Sequence, residues 1–205
     1  MFNNQLFTWF ICFNILYYES IKRILHIKKE SKRAYILSVL NSFVLSIYGI
    51  VYNLAMYFDV LDNLYTDEII TFFQSYLLCD LIIGYSDYHH QILGIEGVCH
   101  HILYMFFNIL AFYRPIDKTY YLLYTIEEIP TFIRGFGYIN SNYRSNMLFG
   151  IKMILWRVLY HIYLLYTFAS FETWVVTLLS ALTLSVHLNW TYRWIIKYGL
   201  KLKSS

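Results

Sequence analysis

Apolar residues run along this chain in long blocks rather than alternating, which is the pattern of buried or lipid-facing helices. About seven blocks can be marked, at Gln5–Tyr18, Ala34–Phe58, Ile69–Tyr88, Gly97–Tyr113, Thr119–Ile139, Met147–Ala169 and Trp174–Ile196. Each is near the roughly 20 residues that a helix needs to cross a bilayer. The first is short and is expected to continue helically through Glu19 to Leu25. The expected fold class is therefore an all-α integral membrane protein, a bundle of about seven transmembrane helices enclosing a polar interior cavity.

Three consecutive apolar blocks carry ionisable groups near mid-length: Asp80 in the third, His100-His101 in the fourth and Glu127-Glu128 in the fifth. An unpaired carboxylate at the centre of a bilayer costs about 2.5–3.5 kcal/mol, so these groups must face the bundle interior, where they mark function by default. Tyr76 lies one turn before Asp80, and Asp87 lies on about the same face as Asp80. Adjacent helical residues diverge by about 100°, so His100 and His101 can flank one cavity while only one points straight into it. Imidazole can serve as base, acid or nucleophile. Pro130 removes a backbone donor and predicts a kink beside the two glutamates. One Glu is placed to orient an imidazole. In the sixth block, Arg157 and His161 share a face, and Arg157 is the expected interior partner of Asp80 or Glu128. Asn189 shares a face with Arg193 in the last block; Trp190 and Trp194 fit an interfacial anchor. His89-His90 are expected at the membrane edge.

Composition agrees. The 205 residues are 59% hydrophobic and 14% charged, far below the roughly 25% charged content of a soluble domain. Almost nothing is left over for a soluble domain. The net charge of +3 is no nucleic-acid signal, because Lys and Arg gather in loops beside the apolar blocks, where they orient the chain. Lys22, Arg23, Lys28, Lys29, Lys32 and Arg33 crowd the first loop, whereas Asp59, Asp62, Asp67 and Glu68 occupy the second. With seven spans this predicts a lumenal or external N-terminus and a cytosolic C-terminus; Arg114 and Lys118 run against the pattern. No cleaved signal is expected, since no basic segment precedes the first block. Cys12, Cys79 and Cys99 lie inside apolar blocks and form no CxxC pair. HxxHH and HxxxH spacings are absent as well, so no metal site is expected. The sequon at Asn189 lies inside a block and is expected to be unused.

These residues, in this order, resemble the TLC-domain family, which contains ceramide synthases, TRAM proteins and small lipid-regulating membrane proteins. Tyr76-Leu77-Leu78-Cys79-Asp80 is similar to the family's Tyr-x-x-x-Asp span, and His100-His101 to its histidine pair. Glu128-Ile129-Pro130-Thr131-Phe132 resembles the Glu-Leu-Ser-Ser-Pro-Phe segment of the small members. Arg157 matches an Arg in the penultimate span, and Leu188-Asn189 with Trp190 and Tyr192 resembles a shifted Leu-Asn-x-x-Trp. The resemblance divides the chain into an N-terminal transmembrane anchor and basic loop (1–30), a TLC domain (31–200) and a basic tail (201–205). It implies catalytic roles for His100, His101, Glu128 and Asp80, and substrate contacts for Tyr76, Tyr104, Glu127, Arg157 and Asn189. It also implies transfer of a fatty acyl group from long-chain acyl-CoA, a co-substrate, with no bound cofactor.

The chain departs from the synthases at Tyr104, where they have Thr, and at Glu127 to Thr131, where they have His-Asp-x-x-Asp. It is closer to the small members, so a non-enzymatic protein that binds lipid and regulates membrane composition or trafficking stands beside the enzyme reading. Membrane lipids are the expected partners in either case, and a homodimer is compatible with both. Lys201-Leu202-Lys203-Ser204-Ser205 fits a dilysine retrieval signal, which points to the endoplasmic reticulum membrane and agrees with a cytosolic C-terminus.

Overall fold

The computed structural model describes residues 2–19, 27–60, 65–92, 95–169 and 174–199. Lys22, Arg23, Asp62, the continuation of the first block to Leu25 and the 201–205 tail lie outside the described residues. All regular structure among the described residues is helical. Each apolar block falls on helix: α1 (Phe2–Glu19), α2 (Glu30–Arg33), α3 (Ile36–Tyr57), α4 (Thr66–Asp87), α5 (His89–Ile92), α6 (Ile95–Tyr113), α7 (Pro115–Leu123), α8 (Ile129–Ile139), α9 (Asn146–Ile154), α10 (His161–Phe168) and α11 (Trp174–Trp194). Three stretches are long and apolar enough to cross a membrane: Glu30–Tyr57, Thr66–Asp87 and Asn146–Phe168; Gly97–Tyr113 is a shorter apolar helix.

Local chemistry sets the boundaries. Pro115 opens α7, where its missing N–H is one that no helix would use. Ser145 caps α9 by accepting the Leu148 N–H at 3.1 Å. The expected bend near Pro130 takes a specific form: Tyr124–Glu128 tightens into a 3-10 segment whose five residues are all buried, and α8 restarts at Ile129. Between α9 and α10, Leu155–Tyr160 widens into a π-helical turn that carries Arg157. Neither the tightened nor the widened turn leaves a signature in hydrophobic periodicity.

Helix α4 is the axis of the bundle. It packs against α1, α3 and α6, while α3 lies along α8 and the 3-10 segment, and α11 contacts α6, α9 and α10. Its buried face runs without a break from Ile70 to Leu77 and continues through Cys79, Asp80, Ile83 and Gly84. At one end of the bundle, Arg33 Nε donates to Asp87 Oδ2 at 2.8 Å, Lys32 Nζ donates to the Ile139 carbonyl at 3.0 Å, and Tyr35 stacks on Tyr138 with ring centroids 4.6 Å apart. At the other end Lys118 Nζ pairs with Asp67. This pairing explains one exception to the loop-charge pattern, because Lys118 is neutralised locally by an acid of the second loop. The outer surface is apolar: Phe7, Ile15, Leu54, Ile82, Phe106, Leu159 and Leu178 are exposed on α1, α3, α4, α6, the π turn and α11. Exposed apolar surface of this extent marks contact with protein or membrane.

Gly49 marks the closest approach of two backbones. A Cβ there would collide with the backbone of Ile126 and Thr125 in the 3-10 segment. Backbone cannot yield as a side-chain end can, so Gly49→Ala must push α3 away from the segment that carries both glutamates. The expected cost is about 1–3 kcal/mol or more, read as a lower melting temperature in detergent with normal expression of the control Gly137→Ala, whose contacts begin at 3.0 Å.

Candidate functional site

A cavity of about 360 Å³ opens between α3, α4, α6, α8, α9, the π turn and α11. Its walls include Tyr76, Asp80, His100, His101, Glu128 and Arg157, six residues that the sequence singles out. They come from positions 81 residues apart. The cavity volume is within the range of small-molecule sites. Ala34, Tyr35, Ser38, Tyr88 and Gln91 also line it, which places it toward the end of the bundle that carries Arg33.

The histidine pair is divided in role by its hydrogen bonds. His101 is buried, with Nε2 2.9 Å from Asp80 Oδ2 and Nδ1 2.9 Å from the Gly97 carbonyl. A carbonyl can only accept, so Nδ1 carries a proton, and Nε2 shares one with the carboxylate of Asp80. The other carboxylate oxygen, Oδ1, accepts from the Tyr88 hydroxyl at 2.6 Å. Both nitrogens of His101 are therefore engaged. His100, by contrast, has ring contacts only: its centroid lies 4.6 Å from that of Tyr104 and 5.5 Å from that of Trp190. It makes no hydrogen bond to another described residue, and it faces the cavity.

On the opposite wall, Arg157 Nε donates to the Glu127 carbonyl at 3.0 Å, while Nη2 reaches the Thr131 hydroxyl and Glu128 Oε1, the latter at 3.5 Å. Its guanidinium also lies over Trp190, 5.7 Å from the ring centre. Of the two partners considered for Arg157, the structure assigns Glu128; Asp80 is held by His101 and Tyr88 instead.

The remaining expected residues fall elsewhere. Tyr104 packs under His100 and lines a separate small gap with Glu128. Glu127 turns away from the cavity toward His161 and His187. The acid beside the histidine pair is thus Asp80, and neither glutamate orients His100 or His101. Asn189 is exposed and is not brought to the cavity, although its neighbour Trp190 is. His89 and His90 are exposed, with ring centroids 3.7 Å apart. Two residues to which the sequence assigns no role take part. Tyr88 holds Asp80, and His187 joins Glu127. Tyr88 lies eight residues beyond Asp80, a separation that suggests no contact along a straight helix; the break between α4 and α5 at Tyr88 turns it back.

A second pocket of about 260 Å³ adjoins the first at the same end and shares Arg134, Phe149, Met153 and Trp190 with it; Arg144, Arg193 and Lys197 contribute further positive charge. No family model matches the chain, and neither does any curated protein or solved structure.

Proposed function

We propose that the chain is a seven-span membrane protein of lipid metabolism, of TLC type, whose cavity transfers a fatty acyl group from a long-chain thioester such as acyl-CoA to an amine or hydroxyl of a lipid. The observation that carries the reading is the gathering of Asp80, His100, His101, Glu128 and Arg157 around one cavity inside an apolar helical bundle. Exposed apolar side chains on α1, α6 and α11 support placing these helices in lipid with the three longer ones.

His100 is the reacting imidazole in this scheme, because it faces the cavity with its nitrogens uncommitted to other described residues. It takes the proton of the acceptor as the acceptor attacks the acyl carbonyl, and returns that proton to the departing thiolate. In the covalent variant His100 itself attacks, releases the thiol, and passes the acyl group on from its ring nitrogen. Asp80 and His101 fix the wall beside it, and Arg157 balances Glu128. The basic end carrying the cavity mouth faces the cytosol in the orientation set by loop charge, which is where a soluble thioester donor is found. The endoplasmic reticulum is the membrane proposed.

Mass spectrometry of gently purified protein, intact and after digestion, tests this. A fatty acyl mass on the peptide containing His100-His101, absent from His100→Ala, is the expected result for the covalent variant; turnover of acyl-CoA without an adduct is expected for the general-base variant. Bound lipid with neither adduct nor turnover, across amine and hydroxyl acceptors, would replace the enzyme reading with the lipid-binding one.

A further inference from the structure

A cluster of potential ligands lies behind the cavity, where the proposed acyl transfer has no use for it. Glu127, from the 3-10 segment, His161, from α10, and His187, from α11, meet in the bundle core with exposures of 1%, 1% and 0%. Glu127 Oε1 lies 2.9 Å from His161 Nδ1, and Oε2 lies 3.6 Å from His187 Nδ1. One donor atom from each of the three lies within 4.8 Å of the other two. We propose that Glu127, His161 and His187 form a zinc site that ties the 3-10 segment to α10 and α11.

The hydrogen bonds around the cluster suit that use. His161 Nδ1 lies 2.9 and 3.0 Å from the two carboxylate oxygens of Glu127, and Nε2 lies 3.0 Å from the Ser180 carbonyl and 2.9 Å from the Ser180 hydroxyl; when Nε2 donates to that carbonyl, Nδ1 offers a lone pair toward the carboxylate. In that tautomer the Nδ1 lone pair and the carboxylate face each other, and either a metal ion or a proton on Nδ1 lies between them. An imidazole that donates its far N–H to a backbone carbonyl while its near nitrogen binds is the usual support of a metal-ligating histidine. His187 differs: Nδ1, the nitrogen 3.6 Å from Glu127, is also 3.2 Å from the Arg157 carbonyl, while Nε2 is buried with no hydrogen-bond partner among the described residues and is the lone pair left for a metal. Oε1 of Glu127 is likewise buried and, though close to His161, lacks a hydrogen bond of usable direction. A buried polar atom without a partner calls for an explanation, and a bound ion is one. Two imidazoles with one carboxylate is an established zinc ligand set, leaving a fourth position for water or another donor.

Charge balance points the same way. Asp80 shares a proton with His101 and Glu128 faces Arg157, so Glu127 is the buried carboxylate left to be matched, by a cation or by a proton on one of its imidazoles. The ligands lie 34 and 26 residues apart along the chain, so no short-spaced motif announces them, and the site departs from the expectation of no metal drawn from the missing HxxxH spacing.

The test uses the full chain purified through a tag free of histidine, in a His89→Ala/His90→Ala background that removes the exposed histidine pair. Elemental analysis after growth in zinc should give stoichiometric zinc, and cobalt(II) exchange should give visible absorption bands of a low-symmetry four- or five-coordinate ion. Both should be lost in Glu127→Gln and in His187→Asn that still elute as a single species. Should these variants fail to fold, the parent decides: chelator should lower its melting temperature by several degrees, with recovery on adding zinc and none on adding magnesium. Absence of zinc together with a melting temperature indifferent to chelator and to zinc overturns the site and leaves an imidazolium–carboxylate pair. Zinc retained undiminished in folded Glu127→Gln and His187→Asn overturns it equally. Acyl transfer by His100 is read separately, so either proposal can fail alone.

Discussion

His100→Ala should eliminate the proposed acyl transfer while leaving the bundle folded, whereas His101→Ala should damage the fold itself. Two neighbouring imidazoles of the same chemistry are expected to behave differently because their surroundings differ. His100 makes ring contacts with Tyr104 and Trp190 and has no hydrogen-bond partner among the described residues, so truncation to Ala enlarges the cavity without stranding a polar group. Loss of a positioned acid–base group reduces rate by about 10²–10⁴-fold, and loss of a nucleophile removes the covalent route altogether. His101 occupies Asp80 Oδ2 and the Gly97 carbonyl. Its removal leaves a buried carboxylate with only the Tyr88 hydroxyl, and breaking a buried pair from one side costs about 3–5 kcal/mol. The check is a turnover assay run beside a thermal melt in detergent. Turnover near wild type in a folded His100→Ala would remove His100 from the chemistry. Equal losses of melting temperature in the two variants would remove the distinction drawn from their hydrogen bonds.

The placement of that pair shows what a sequence pattern can carry. Mid-block charges at Asp80, His100, His101, Glu128 and Arg157 were legible because apolar surroundings make each one costly unless it turns inward. Helical blocks were legible for the same reason, since a long apolar run has few other ways to satisfy its backbone. Partner choice was not. Arg157 had two candidate acids, and Tyr88, an aromatic at a helix end with no periodic signal, settled the competition by joining His101 on Asp80. Glu127 and Glu128 are adjacent in sequence yet face different groups, because the 3-10 turn before Pro130 aims one at His161 and the other at Arg157. Asn189 shows the converse. It sits in the stretch that carries the terminal resemblance, but its helix presents Trp190 to the cavity in its place.

Arg157→Leu should rank with His101→Ala among the most destabilising single changes in the wall of the cavity. The guanidinium is 5% exposed and serves three elements at once: it bonds the Glu127 carbonyl of the 3-10 segment, the Thr131 hydroxyl of α8 and Glu128, and it covers Trp190 of α11. Leucine fills part of the volume but strands the Glu128 carboxylate and the Glu127 carbonyl in the core. The expected loss is about 3–5 kcal/mol, a large share of the 5–15 kcal/mol typical of a folded domain. Arg157→Lys should recover little, because a single ammonium cannot reproduce a planar fork that reaches two acceptors on the 3-10 segment and one on α8. The double variant Arg157→Leu/Glu128→Leu separates charge from packing. If the stranded carboxylate is the main cost, the double variant melts higher than Arg157→Leu alone, since removing both members of a buried pair is far milder than removing one. If both melt together, the contacts to the Glu127 carbonyl and Thr131 dominate, and Arg157 acts as a clamp on the 3-10 turn rather than as a counterion. Either outcome bears on the proposed catalysis, because that turn positions Glu128 in the wall of the cavity that His100 also lines.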